Sequence, residues 1–311
     1  MTDLLGCVSA SLLLLMASVW IPFIGPFFSL LTPLPFLFYT SKLGPHEGVK
    51  IVGMTFVLVG VVSYLTGAFQ LVFFCLEFSL LGFFISEIYR RGFTFASTIL
   101  WGAGAMLLVG AALLVVIGLS KNMGPMELLH HHFQENLKET IRVYEDTGLD
   151  QEKITQLEEW AKAVMDMIMK IYPALLIIGT GFMVWVNVVI SRPLFRIGNL
   201  TYPDFGPMDR WQAPDRMVWA LIAAGFALFL PSSGIKWLAI NTLLVLVVIY
   251  FFNGLSILLF FLNKYHIALW IRIGIYVLIL FQWVFMVIIA LAGLFDQWID
   301  FRKIHKESVS E

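Results

Sequence analysis

The sequence predicts an all-α protein, a polytopic membrane helix bundle of eight or nine transmembrane helices with a helical hairpin outside the bilayer. Three observations predict it. Hydrophobic residues make up 59% of the chain and charged ones only 13%, against roughly 45–50% and 25% in a soluble domain. Mean hydropathy is +0.87, because there is more apolar side chain here than the polar surface of a soluble fold could cover. The apolar residues also fall into blocks, five before one long polar passage at 121–170 and about four after it, each a candidate span. The chain accordingly divides into an N-terminal membrane half (1–120), the hairpin (121–170), a C-terminal membrane half (171–296) and a polar tail (297–311).

A first helix is expected at about 4–21, retained in the protein, since neither a basic lead nor a small-x-small cleavage pattern marks it as a signal peptide. Pro22, Pro26, Pro33 and Pro35 crowd the following stretch, so 27–39 is expected as a short kinked helix or a re-entrant segment. The loop at 40–50 carries Lys42, His46, Glu47 and Lys50. Helices follow at about 49–66, 68–88 and 93–119. The first of these places Gly53, Gly60 and Gly67 seven apart, and the third does the same with Gly104, Ala111 and Gly118. Small residues on one face let backbones approach in lipid, so both series are expected to be helix–helix contacts, with a ligand-facing role as the alternative.

The passage 121–170 holds ten Asp/Glu against six Lys/Arg. Met126, Leu129, Phe133, Leu137, Ile141 and Tyr144 recur at three- and four-residue spacing, one apolar stripe on a helix. Asp146-Thr147-Gly148 breaks the pattern with turn residues, and Asp150 is placed to cap a second helix carrying Ile154, Leu157, Ala161, Val164 and Ile168 on one face. That arm is expected to run into the next membrane helix at 171–190, with Pro173 in its first turn and Asn187 near its end. A connector at 192–216 brings four arginines, Pro193, Pro203, Pro207, Pro214 and Trp211. Helices at 217–230, 236–262 and 268–294 complete the bundle.

Lys and Arg, counted by loop, set the orientation. If 40–50 is cytoplasmic, so are Arg90, Arg91, the connector and the loop at Lys264, with the acidic hairpin opposite. The tail then falls on the hairpin side although Arg302-Lys303 reads as cytoplasmic, which points to one misassigned span among 22–40 or 231–296.

Glu77 is the sharpest candidate for chemistry. It lies near mid-helix, where an ionised carboxylate costs at least ~2.5 kcal/mol. Such a group faces a cavity, pairs with a cation or stays protonated. Arg272, in the first turns of the last helix, and the amides of Asn187, Asn253 and Gln282 are its chemically suitable partners. The candidate polar site is therefore Glu77, Asn187, Asn253 and Arg272, against the plainer reading of a carboxyl hydrogen-bonded between helices. His130, His131 and His132 are consecutive, so on a helix they point about 100° apart and do not converge on one ion. His46-Glu47 lacks the second histidine of a zinc-protease motif, and neither a phosphate loop nor a nucleophile elbow is present. Cys7 and Cys75 sit in apolar blocks and imply no disulfide framework. No metal, cofactor or catalytic role is expected, and the net charge of −1 argues against nucleic acid.

Several motifs recur in a specific order: Arg210-Trp211 with Pro214, Gly254-Leu255-Ser256, and the ending Gly293-Leu294-Phe295-Asp296, followed by Trp298, Asp300 and Arg302. By itself that ending reads as an interfacial helix end with Asp–Arg pairing, Asp296 and Asp300 sharing a face. In order, and along most of the chain, the motifs resemble the YybS-like family of uncharacterised bacterial multi-pass membrane proteins. The resemblance implies a bacterial inner-membrane location and a distant similarity to the substrate-binding components of energy-coupling-factor transporters and to MreD. Those components carry small residues four apart on helix one; Gly6 and Ala10 match that spacing and Leu14 breaks it.

Two roles follow as expectations. One is a transporter-like protein that binds or moves a small-molecule substrate at the polar site. The other is a non-transporting scaffold that recruits envelope or division proteins through 121–170. The lipid bilayer is a partner in both.

Overall fold

The computed structural model describes residues 2–21, 24–146 and 151–302. The described residues form helices α1 (Thr2–Trp20), α2 (Gly25–Leu31), α3 (Pro33–Leu43), α4 (Pro45–Thr66), α5 (Gln70–Arg90), α6 (Phe95–Ser120), α7 (Pro125–Asp146), α8 (Gln151–Ile197), a 3-10 turn at Met208–Arg210, α9 (Met217–Ala227), α10 (Ser233–Lys264), α11 (Leu269–Phe281) and α12 (Trp283–Ile299). Five of them are long and apolar enough to cross a membrane: α4, α5, α6, α8 and α10. The count rises to six if α11 and α12, which meet at 102°, form one broken span. The eight or nine spans expected from the apolar blocks include segments that fold short. Helix α9 has 11 residues, about half the ~30 Å of a hydrocarbon core at 1.5 Å per residue. The proline-rich stretch becomes two helices broken at Thr32, because Pro33 and Pro35 lack the N–H groups that would continue the ladder. Of the turn expected at Asp146-Thr147-Gly148, Thr147 and Gly148 lie outside the described residues, as do the expected cap Asp150 and the tail beyond Arg302.

The chain separates into two compact units. The first holds Met1–Met169 and Gly179–Asp204. Its core joins Cys7 of α1, Phe36 of α3 and Ile51 of α4, with Tyr39 and Leu43 packed against them. Gly6 faces the Tyr39 hydroxyl, so α3 of the same chain covers that part of α1. Along α5, Leu71, Cys75, Phe78, Gly82, Ile85 and Tyr89 form one buried face, and a side chain at Gly82 would meet the Pro33 carbonyl. The expected glycine contacts are corrected here: Gly53, Gly60 and Gly104 have open space where a side chain would be. The buried residues of α4 are Gly48, Ile51, Thr55, Val59 and Ser63. A seven-residue repeat marks a shared face, but where protein and lipid are equally apolar it does not say which of them that face meets.

Helix α8 runs for 47 residues, roughly 70 Å, well beyond the ~40–45 Å of a bilayer with its headgroups. Its charged first part, with Glu152, Lys153, Glu158, Glu159, Lys162 and Asp166, is the part hydrocarbon would reject. On α7, Leu129, Phe133, Leu137 and Ile141 of the expected stripe are shielded while Met126 is exposed; on α8 the stripe from Ile154 to Ile168 is the less exposed face, and Ile141 and Ile154 are buried.

The second unit holds Lys170–Ile178 and the chain from Phe205 on. Pro173 lies inside α8 rather than in a first turn, and the helix continues through it. Asn241 of α10 makes this feasible: its Oδ1 accepts the Ala174 N–H at 2.9 Å, and its Nδ2 donates to the Lys170 carbonyl at 2.8 Å. Those two groups would be bonded to each other in an unbroken helix. Helices α10 and α12 cross where Gly293 lies against the Tyr250 carbonyl and Gly254 against that of Ile289. Ala213, Val218, Leu246 and Tyr250 form the adjoining core.

Candidate functional site

The second unit contains one extended buried polar network, and it begins at the end of α12. Asp300 has a left-handed backbone (φ 44°) and ends the helix, so it does not share a helix face with Asp296 as the spacing suggests. The Asp296 carboxylate caps that turn by accepting the Phe301 N–H at 3.1 Å. The reversed chain carries Arg302 back, and its Nη2 pairs with Asp296 Oδ2 at 2.5 Å with both side chains buried. Arg302 Nη2 also reaches Asn253 Oδ1 at 3.3 Å, while Nη1 donates to the Trp211 carbonyl and Ser256 Oγ at 2.8 Å and to the Asp209 carbonyl at 3.0 Å. Asn253 Nδ2 in turn donates to the Gly293 carbonyl at 2.7 Å. Burying both ions costs several kcal/mol each, so an arrangement of this kind persists only where hydrogen bonds satisfy the groups; here only the Arg302 Nε–H is left without one.

This network unites the Arg210-Trp211 connector, Gly254-Leu255-Ser256 and Gly293-Leu294-Phe295-Asp296. They sit far apart in sequence and meet because two glycines allow α10 and α12 to touch backbone to backbone. With its acceptors engaged internally, the network offers no reacting group. It clamps the 3-10 turn onto α10 and α12.

Arg272 stands at the edge of the same unit. Its Nε donates to the Ile267 carbonyl at 2.7 Å, Nη2 to that of Leu262 at 3.0 Å and Nη1 to Asn263 Oδ1 at 2.7 Å. Asn263 Nδ2 then donates to Asp209 Oδ2 at 2.8 Å. Arg272 thus ties the α10–α11 turn together, and through Asn263 and Asp209 it lies on one hydrogen-bonded chain with Asn253. Gln282 marks the α11–α12 break, with its backbone extended.

In the first unit, Asn187 of α8 is fully buried. Its Nδ2 donates to the carbonyls of Leu30 and Met183, each at 2.8 Å, while Oδ1 has no partner. Glu77 of α5 is half-buried and makes no hydrogen bond or ion pair among the described residues. Its carboxyl lies against α6 at Gly110, where Oε1 would be 3.2 Å from an added Cβ. The two residues are not neighbours. A Gly102 side chain would meet Val184 of α8 and Ile85 of α5, and Tyr89 bonds Ser191 at 2.8 Å, so α5 and α8 run parallel with Asn187 level with about Ile88. Glu77 is then roughly 15 Å away along the axis. Each of the three Arg272 nitrogens donates within the second unit.

Sequence reasoning named Asn253 but missed Ser256, Asn263 and the interior position of Arg302. The available signal was the motif order itself, since its members proved to be contact partners. Arg302, a tail charge in the orientation count, is paired with Asp296 and is not a loop cation. Among the described residues no group of three His, Cys, Asp or Glu is arranged to hold a metal, and His131 Nδ1 lies 3.4 Å from Glu135.

No match is found among the curated proteins, and none among the solved structures. A family model described as "Predicted membrane protein (DUF2232)" matches residues 9–297. That stretch takes in Glu77, Asn187, the α10–α12 glycine contact and Asp296. A multi-pass membrane protein by its helices and matched over most of its length, the chain belongs to the DUF2232 family of predicted membrane proteins.

Proposed function

We propose that this protein binds a small molecule within a bacterial inner membrane, or carries it across, and that Glu77 is the group that recognises it. The observation that carries the reading is the Glu77 carboxyl: central in an apolar helix, half-buried, and without a hydrogen bond or ion pair among the described residues. A carboxyl kept there for packing alone would be expected to have a donor nearby, since an unmet polar group is costly at that depth. The carboxyl lies against Gly110, which has no side chain to cover it. A cationic solute, a solute with hydroxyl or amino donors, or a proton in transit complements such a group. Asn253 and Arg272 hydrogen-bond within the second unit, and the proposed reading assigns recognition to Glu77.

The test is growth or uptake with Glu77→Gln and Gly110→Leu, the second placing a side chain against the carboxyl. Both should impair function at unchanged protein level. Wild-type function in both variants would remove Glu77 from any functional role.

A second reading is supported by the polar arms. Trp160 and Met167 of α8 are 65% and 52% exposed, seven residues apart on a face other than the covered stripe. A scaffold that recruits another protein through 121–170 would use such a face. Trp160→Ala with Met167→Ala should then abolish function while Glu77→Gln leaves it intact.

A further inference from the structure

The end of α8 and the chain that follows it form an open cleft of about 640 Å³ in the first unit, lined by Arg192, Arg196, Leu200, Tyr202, Pro203 and Asp204 among others. Arg192 and Arg196 are four residues apart, so they project from one helix face on successive turns. Both are exposed, and neither guanidinium makes a hydrogen bond or ion pair among the described residues. Two like charges at this spacing oppose each other. A cation near a helix C-terminus is favourable through the backbone dipoles, which accounts for Arg196 in the last turn but not for a second arginine beside it in a concave surface.

The cleft is built rigidly. The chain leaves α8 through Asn199, which has a left-handed backbone (φ 51°), and the Leu200 N–H returns to the Phe195 carbonyl at 2.8 Å. Gly198 passes so close to the Phe38 ring that a side chain there would lie 2.6 Å from it. Tyr202 donates its hydroxyl to the Val188 carbonyl at 2.9 Å, and its ring meets Phe195 and Tyr89 edge-on at 6.0 and 5.7 Å. Burial pushes the Tyr202 phenol above its ordinary range, so it remains a hydroxyl. A preformed surface loses little entropy when a ligand arrives.

Position and chemistry then choose the ligand class. The arginines follow directly on the apolar turns ending at Ile190, which puts them at the depth of a membrane interface. Paired guanidinium forks match the oxygens of a phosphate group better than any other common anion at that depth. Leu200, Pro193 and Pro203 add apolar lining. We propose that the Arg192–Arg196 cleft is a binding site for a phosphate ester carrying an apolar or glycerol body, as presented by a phospholipid headgroup or by a soluble glycerol phosphate.

Native mass spectrometry of the full chain in detergent tests this, with phosphatidylglycerol and sn-glycerol 3-phosphate as separate probes. The comparison is wild type against Arg192→Gln/Arg196→Gln, with Lys264→Gln as a cation control outside the cleft. The expected result is at least a tenfold loss of one probe in the double variant and no loss in the control. Loss of phosphatidylglycerol alone identifies a lipid site, and loss of glycerol phosphate identifies a soluble ester. Equal retention in the double variant, or no binding of either probe to the wild type, overturns the proposal. Should the double Gln variant fail to fold, Arg192→Lys/Arg196→Lys replaces it: charge is kept and the fork is lost, so several-fold weaker binding supports the site and unchanged binding overturns it.

Discussion

Asn241 hydrogen-bonds two α8 backbone groups on either side of Pro173. Its amide oxygen takes the Ala174 N–H and its amide nitrogen serves the Lys170 carbonyl, so one side chain bridges the helical rung beside the proline. Nδ2 also donates to the Trp237 carbonyl of its own helix at 2.7 Å, which fixes the amide orientation. Asn241→Ala should destabilise the protein by about 2–3 kcal/mol, leaving both α8 groups unpaired in an apolar setting. Pro173→Ala in the same background should recover part of that loss by restoring the helical bond. Thermal melts in detergent of the four proteins of this cycle give the coupling; additive effects would contradict the bridge.

The Arg302–Asp296 pair predicts an asymmetry. Asp296→Ala leaves a buried guanidinium without its counter-charge and should cost about 3–5 kcal/mol. Asp296→Ala combined with Arg302→Met should be less damaging than Asp296→Ala alone, since the uncompensated charge is gone. Chemical denaturation in mild detergent is the measurement, and a double variant worse than the single one would contradict it.

Glycine substitutions separate the two kinds of glycine. Gly254→Ala and Gly293→Ala drive a methyl into the backbone of the neighbouring helix and should each lower stability by at least about 1–3 kcal/mol through overpacking. Gly53→Ala and Gly60→Ala meet open space and should leave the melting temperature unchanged or raise it slightly, Ala being the better helix former by roughly 1 kcal/mol.

Glu77 and Arg272 should also differ. Glu77→Gln removes no hydrogen bond or ion pair among the described residues and should melt within about 0.5 kcal/mol of the parent. Arg272→Gln deprives the Leu262 and Ile267 carbonyls of their donor and should cost about 1–3 kcal/mol. Equal losses in the two variants would indicate that Glu77 has a structural partner after all.

What the sequence showed and hid follows from which interactions are local. The stripes on α7 and α8 were legible because three- and four-residue spacing is set by one helix alone, and the mid-helix position of Glu77 needed only the length of its apolar block. The continuation of α8 through Pro173 was not legible, since its compensation comes from Asn241, 67 residues on. Gly60 and Gly254 look alike as letters, yet one faces open space and the other a neighbouring backbone, a distinction that only packing makes. Arg272 reads as a free cation because two of its three acceptors are backbone carbonyls, which every residue has and no motif reveals. The break at Gln282 carries no proline or glycine to announce it. Asp–Arg pairing at this helix end is legible from the residues, while the inward turn of Arg302 depends on the left-handed Asp300.

The most direct measurement of the central claim is native mass spectrometry of the full-length protein purified from its own membrane, wild type beside Glu77→Gln. The expected result is a small-molecule adduct on the wild type that is lost from a Glu77→Gln protein of equal stability. An identical adduct on both, or none on a stable and functional wild type, would contradict it.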